Sequence, residues 1–358
     1  MKKDKIKLNF EWIRTSVVIL IALVFSLVII LLVSKEPAYA LKEFLIGPID
    51  SMRHIGNVIE MTIPLIFTGL AVSIMFSAEQ FNLAAEGAFF AGAVAAAAIS
   101  LLIDLPIVIH PMIAMLAGGI LGTLITGIPA YLKVKWNASE LVSSLMFNYI
   151  ALYMGLYVIN YFFRDVNAGA MVSERLPKSV LLLNIIPRTR IHFGLFIAIL
   201  FVVATYYFMF RSKWGYALRV TGQNSRFAEY SGINTLKVFL YAQLLGGFIA
   251  GVGGATELLG MYKRFSWQGL PNIGWDGVIV AILARNNPVY VPFAALFLAY
   301  LRIGADIMAR MSDVQNEVVS LIQGIIIVLV VAERFLAKYK HKWVYKEAKT
   351  SISEAGEE

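Results

Sequence analysis

The sequence predicts an all-α, polytopic membrane protein, and three observations carry that prediction. Of its 358 residues 59% are hydrophobic and only 15% charged, with a mean hydropathy of +0.73. A soluble domain carries about 25% charged residues, because water must be met over its whole outer surface. Apolar runs of about 20 residues, the length a helix needs to cross roughly 30 Å of hydrocarbon, recur along the chain. Lysine and arginine collect in alternate gaps between these runs, the asymmetry that orients membrane proteins. The same figures exclude a disordered chain, and the absence of cysteine excludes a disulfide scaffold, a thiolate nucleophile and an Fe–S cluster. The net charge of +8 would suggest a nucleic-acid partner in a soluble protein, but here its placement makes it a topological signal, and no nucleic acid is expected.

The segments follow in order. Residues 15–33 form a run too long for a signal-peptide core, with no small-residue cleavage site after it, and are read as a retained span. Further runs cover 57–77, 87–103, 110–132, 141–163, 192–210 and 238–259. A short apolar piece at 277–284 is stopped by Arg285, Asn286, Asn287 and Pro288, then 289–303 resumes and 318–331 is the last clear run. That makes about ten membrane segments. The basic side collects Lys2, Lys3, Lys5, Lys7 and Arg14, then Lys133 and Lys135, the bases of the 211–237 loop, Arg285, and a tail from Arg334 onward. Both termini are therefore expected in the cytoplasm, which requires an even number of crossings; if 277–284 only dipped into the membrane, the tail would be turned outward. The organisation expected is a basic cytoplasmic N-terminus (1–14), a single transmembrane domain (15–335) and a cytoplasmic tail (336–358). No hydrophilic stretch is long enough for an independent soluble core.

Several chemistries are missing from the sequence. No GxxxxGK[ST] string is present to wrap phosphates in backbone N–H groups, so the chain has no ATPase motif of its own and no cofactor is expected. Four histidines, His54, His110, His192 and His341, are scattered without metal-ligand spacing, and no metal site is expected. There is no GxSxG elbow either, and no catalytic residues are assigned. The glycines at 246, 247, 251, 253 and 254 sit inside an apolar run, where they allow two helices to approach closely and do not form a dinucleotide fingerprint. Asn137-Ala138-Ser139 matches a glycosylation acceptor but falls on the basic, cytoplasmic side.

Polar groups near the membrane are costly and tend to face a cavity or a partner, which singles out Asn82, Glu86, Glu140, Asn148, Gln243, Glu257 and Asp276. Glu86 and Glu140 lie at the starts of runs, where helix capping competes with a pathway role. Asn148 is deeper, and helix-to-helix bonding competes equally. Lys263, Arg264, Trp267 and Gln268 suit either an incoming solute or interfacial anchoring. The loop at 211–237 reads as two short helical pieces parted at Gly222-Gln223-Asn224, with Asn224 or Ser225 capping the second and Gly232 ending it. An ordinary solvated loop would share that composition, but a short amphipathic helix there also suits a partner's groove.

This loop resembles the coupling segment of ABC importer permeases of the sugar, nucleoside and branched-chain amino acid group, T-x-x-G-x-x-L-R-A-x-G-x-N-x-x-A-A-x-x-x-G-I. Gly215, Leu218, Arg219, Gly222, Asn224, Ala228, Gly232 and Ile233 match it, while Ser212, Val220 and Phe227 depart conservatively. Residues 81–87 are similar to F-N-I-G-x-E-G, with Ala84 in place of a glycine and Ala88 in place of the usual glutamine. Residues 137–150 resemble the N-E-V-I-x-x-L-M-L-N-Y-I segment of the nucleoside branch, and 274–284 with Pro288 resemble G-F-D-G-I-A-V-A-L-L-G-x-x-x-P. The resemblance implies an ABC importer permease fold in a bacterial cell membrane, most specifically for nucleosides, with a simple-sugar permease or an ion-coupled secondary transporter as alternatives. It implies partners: ABC ATPase subunits docking on Arg219, Gly222, Gln223, Asn224, Ala228 and Gly232, a second homologous permease, and a substrate-binding protein or lipoprotein. It also implies a pathway for a small-molecule substrate near Asn82, Glu86, Glu140, Asn148, Tyr149, Trp275 and Asp276, since amides pair with hydroxyls and base edges while aromatic rings meet a flat face.

Overall fold

In lipid every backbone N–H and C=O must find its partner within the segment, so apolar runs become helices. The computed structural model describes residues 34–79, 81–187 and 189–315, with scattered positions at 24, 28–31, 318, 321, 323–325 and 328. The expected runs at 15–33 and 318–331 lie outside the described residues except for those positions, as do the basic N-terminus and tail. The regular elements described are helices: α1 (Pro37–Leu45), α2 (Met52–Phe76), α3 (Ala85–Leu102), α4 (Ile109–Trp136), α5 (Glu140–Phe162), α6 (Gly194–Arg211), α7 (Lys213–Gln223), α8 (Ser225–Tyr230), α9 (Thr235–Met261), α10 (Ile273–Leu283) and α11 (Val291–Met311). Seven of them, α2 to α6, α9 and α11, are long and apolar enough to cross a membrane; α10 is apolar but short.

Residues 49–303 form the main unit. At its centre α3, α4 and α9 meet backbone to backbone. A Cβ on Gly92 would strike the Gly251 carbonyl, one on Gly122 the Gly247 carbonyl, and one on Gly254 the Phe89 carbonyl. Small residues let the helices approach that closely, and this supplies the packing that lipid cannot drive. Thr126 fastens the same contact by donating to the Gln243 carbonyl at 2.8 Å.

Two traverses are irregular. Val72, Ala85 and Ala281 share one apolar cluster, so α3 starts about a turn short of the end of α2, at the depth of residue 72. After α9 the chain runs without helix along α3: Phe265 packs edge-on to Phe90, Trp267 stacks on Phe89 at 5.9 Å, and Asn272 reaches Glu86. From there α10 continues parallel to α2, with Gly277 against Thr68 and then Val280 against Gly69. The expected piece at 277–284 is thus the second half of one continuous passage from residue 262 to 283, half irregular and half helical. The segment between α5 and α6 is pinned to this passage, Ser173 N–H donating to the Phe265 carbonyl (3.0 Å) and Leu176 N–H to that of Lys263 (2.9 Å).

A second unit comprises residues 1–48 and 304–358. Within it Gly304 lies against the Phe44 carbonyl. Ser34 Oγ and Lys35 N–H donate to the Asp313 carboxylate at 2.6 and 2.7 Å, holding it below the usual carboxylate range.

Candidate functional site

The loop between α6 and α9 is built by local capping. Ser212 Oγ accepts from Gly215 N–H at 3.0 Å and donates to the Phe208 carbonyl at 2.6 Å, which turns the chain sharply out of α6. A Cβ on Gly215 would strike the Phe208 and Met209 carbonyls. Asn224 Oδ1 accepts from Phe227 N–H at 3.0 Å and starts α8, so of the two caps the sequence offers, Asn224 and Ser225, it is Asn224 that serves. Gly232 ends α8 at φ +79°, and Ile233 N–H closes back on the Ala228 carbonyl at 2.9 Å. Asn234 then caps α9 by accepting from Lys237 N–H.

This loop touches the membrane helices at one point that its sequence does not reveal. A Cβ on Gly222 would land on the Ser77 carbonyl, at the end of α2. Ala228 is fully buried, and Arg219 lies over the Phe210 ring at 4.8 Å. Of the loop residues singled out from sequence, Arg219 and Gly222 are half-buried, while Gln223, Asn224 and Gly232 are exposed beside three aromatic side chains, Tyr216, Phe227 and Tyr230, the last by 92%. Sequence reasoning passed over these three; their i, i+3 spacing at 227 and 230 was the available signal.

The second centre lies where α3 and α10 begin. Glu86 carries its carboxylate onto the start of α10, accepting from the N–H groups of Asn272 (2.6 Å), Gly274 (2.5 Å) and Trp275 (3.3 Å). An anionic group on free helix N–H donors satisfies both charge and hydrogen bonds. Gly274 is required there, since a Cβ would collide with the backbone of Glu86. Asn148 Oδ1 accepts from Gly87 N–H (2.8 Å) and its Nδ2 donates to the Leu83 carbonyl (3.0 Å), clamping the start of α3 to α5. Asn82 Oδ1 accepts from Ala84 N–H, and its Nδ2 donates to the Thr126 carbonyl. Asp276, in the first turn of α10, pairs with Arg302 of α11.

Glu86, Asn148, Asn82, Trp275 and Asp276 are thus assembled around one junction. Trp275, and Tyr149 beside Asn148, differ from the other four in being exposed. Glu140 stands apart in the first turn of α5, buried, with Oε1 finding no hydrogen-bond partner. Gln243 is buried in α9 with both amide atoms unpartnered, and Glu257 is buried farther along the same helix. Lys263 and Arg264 belong to the descending segment, where Arg264 pairs with Asp165 at 3.3 Å and Gln268 donates to the Met171 carbonyl. Arg302 was not singled out from sequence, although a lone arginine inside the 289–303 run was the signal for it. Among the described residues no group of three His, Cys, Asp or Glu stands together to hold a metal.

Residues 54–331 match the family of permease components of the branched-chain amino acid transport system. The chain belongs to that family. It is 29% identical over 332 residues to the glucose ABC transporter permease protein TsgB13 of Haloferax volcanii, covering 90% of this chain and 87% of that one. It is 33% identical over 287 residues to the guanosine ABC transporter permease protein NupP of Bacillus subtilis (79% and 82% covered). With the nucleoside ABC transporter permease protein NupB of Lactococcus lactis it shares 26% over 328 residues (88% and 90%). The permease is therefore a multi-pass protein of the cell membrane, the membrane subunit of an ABC importer, and not itself an enzyme. Such a permease works with ATPase and substrate-binding partners. An ion-coupled secondary transporter is set aside by the same match.

Proposed function

We propose that the permease carries nucleosides inward across the membrane, driven by separate ATPase subunits docked on residues 211–237. The observation that supports the substrate class is the likeness to guanosine and nucleoside permeases over 79% and 88% of the chain. The permease pairs with a second, similar permease and receives its solute from a binding protein or lipoprotein at the outer face. Ten crossings with both termini inside complete the topology; the single passage through 262–283 supports an even count. ATP-driven movement of the ATPases reaches the membrane helices through Arg219, Gly222, Gln223, Asn224, Ala228 and Gly232, and the contact between Gly222 and Ser77 supports α2 as the first helix to receive it. In the pathway, Tyr149 and Trp275 face the solute, Asn82, Glu86, Asn148 and Asp276 hold the walls in place, and Glu140 lies at the inner mouth. What supports this division is the exposure of the first pair and the backbone and ion-pair engagements of the next four.

A second reading is favoured by the glucose permease relative, which covers 90% of the chain: a simple sugar as substrate. Uptake of labelled guanosine by cells expressing the permease with its ATPase and binding protein decides between them. Competition by other nucleosides and not by glucose or pentoses is the expected result. Competition by sugars alone would transfer the assignment to the second reading.

A further inference from the structure

The face that α5 turns away from the rest of the main unit carries tyrosine at every fourth position: Tyr149, Tyr153, Tyr157 and Tyr161, exposed by 59, 67, 59 and 71%. Side chains four apart share one helix face, so the phenols form a ladder whose ends are about 18 Å apart along the axis. Other exposed faces in the same unit are different in kind. At mid-helix α4 shows Ile120 and Leu124, and α6 shows Leu200 and Val203, the side chains that lipid tails accept.

Tyrosine is normal at membrane interfaces, where its hydroxyl reaches water. Tyr149 and Tyr153 are not at an interface: they flank residue 151, the middle of the helix Glu140–Phe162. A phenol hydroxyl facing hydrocarbon at that depth would have no partner, at a cost of roughly 2–7 kcal/mol. Two such groups in one stripe argue that this face meets water or a polar solute. The ladder is also one-sided. It runs from mid-helix to the end of α5 remote from the 211–237 loop, and toward that loop the face continues with Met146 and Val142. Exposed Trp275 lies near its inner end, because Gly274 abuts Glu86 while the next residue, Gly87, abuts Asn148.

We propose that Tyr149, Tyr153, Tyr157 and Tyr161 line the outer half of the solute path for a planar, hydroxyl-bearing solute, with Tyr157 and Tyr161, stacked on each other at 5.4 Å, acting as one rung and Tyr153 and Tyr149 as the next two, each rung giving a ring face and phenol hydroxyls. The class of solute rests on the nucleoside reading above; the placement of the path does not. A solute delivered at the outer mouth meets Tyr161 first and reaches Tyr149 and Trp275 at mid-membrane, where the ladder ends.

The absence of cysteine makes the test direct. Single cysteines at 149, 153, 157 and 161, with controls at Leu124 and Leu200, are placed in the permease assembled with its ATPase and binding-protein partners and treated with a membrane-impermeant thiol reagent. Labelling of the four ladder positions but not the controls, slowed by added guanosine, is the expected result. Ladder positions as unreactive as the controls would overturn the proposal. Uptake gives a second readout. Tyr153→Leu should lower guanosine kcat/KM about tenfold or more while Tyr153→Phe, which keeps the ring, retains most of it. Equal losses in both would overturn stacking as the role. If the wild-type assembly moves only sugars, the nucleoside reading fails separately and labelling still judges the path.

Discussion

Glu86 illustrates how one side chain can fix a junction. Its carboxylate closes the free N–H groups of a helix 186 residues later in the chain, so removing it exposes those donors inside the membrane. Glu86→Ala is expected to destabilise the permease by about 1–3 kcal/mol, with Glu86→Gln intermediate because an amide oxygen still accepts; thermal unfolding in detergent measures both. His192 shows the same local economy at the start of α6: its ring is fully buried and its Nδ1 accepts from Gly194 N–H at 3.2 Å.

Among the elements, the α7–α8 loop was the most legible, because its shape comes from contacts within a few residues: the cap at Asn224 and the glycine stop at Gly232 were visible in the sequence, while the Ser212 cap was added by the structure. Its attachment to α2 was not legible, since the partner is a backbone carbonyl far away in sequence. Gly222→Val should therefore leave the ATPases bound and hydrolysing while uptake falls by roughly tenfold, as expected when a coupling free energy of 1–3 kcal/mol is lost. Measuring ATP hydrolysis and uptake on the same assembly is the check, and normal uptake would remove Gly222 from the coupling path. Tyr230→Ala acts on the other face of the loop. It should weaken ATPase association about tenfold without altering the fold, as read by co-purification or a titrated pull-down. The α10 passage was only half legible. Its helix was visible as an apolar run, but its irregular half, residues 262–272, reads like any outer loop until Phe265 and Trp267 are found against Phe90 and Phe89.

For the whole molecule, the uneven distribution of bases and the proposed even number of passages lead to one expectation. Reporter tags at both termini should be inaccessible from outside intact cells and become accessible on permeabilisation. A single outward-facing end would mean an odd number of crossings and would overturn the proposed topology. The sequence by itself determined the membrane class, the positions of the seven long helices among the described residues and the two-piece loop, because lipid forces hydrogen bonds to close within each segment and caps act within one turn. Only the tertiary structure decided that Glu86 and Asn148 act as clamps, that Asp276 pairs with Arg302, and that the glycines of α3, α4 and α9 meet one another. Those partners lie tens to hundreds of residues apart, and a buried polar group shows which role it has taken only when the group that satisfies it is brought alongside.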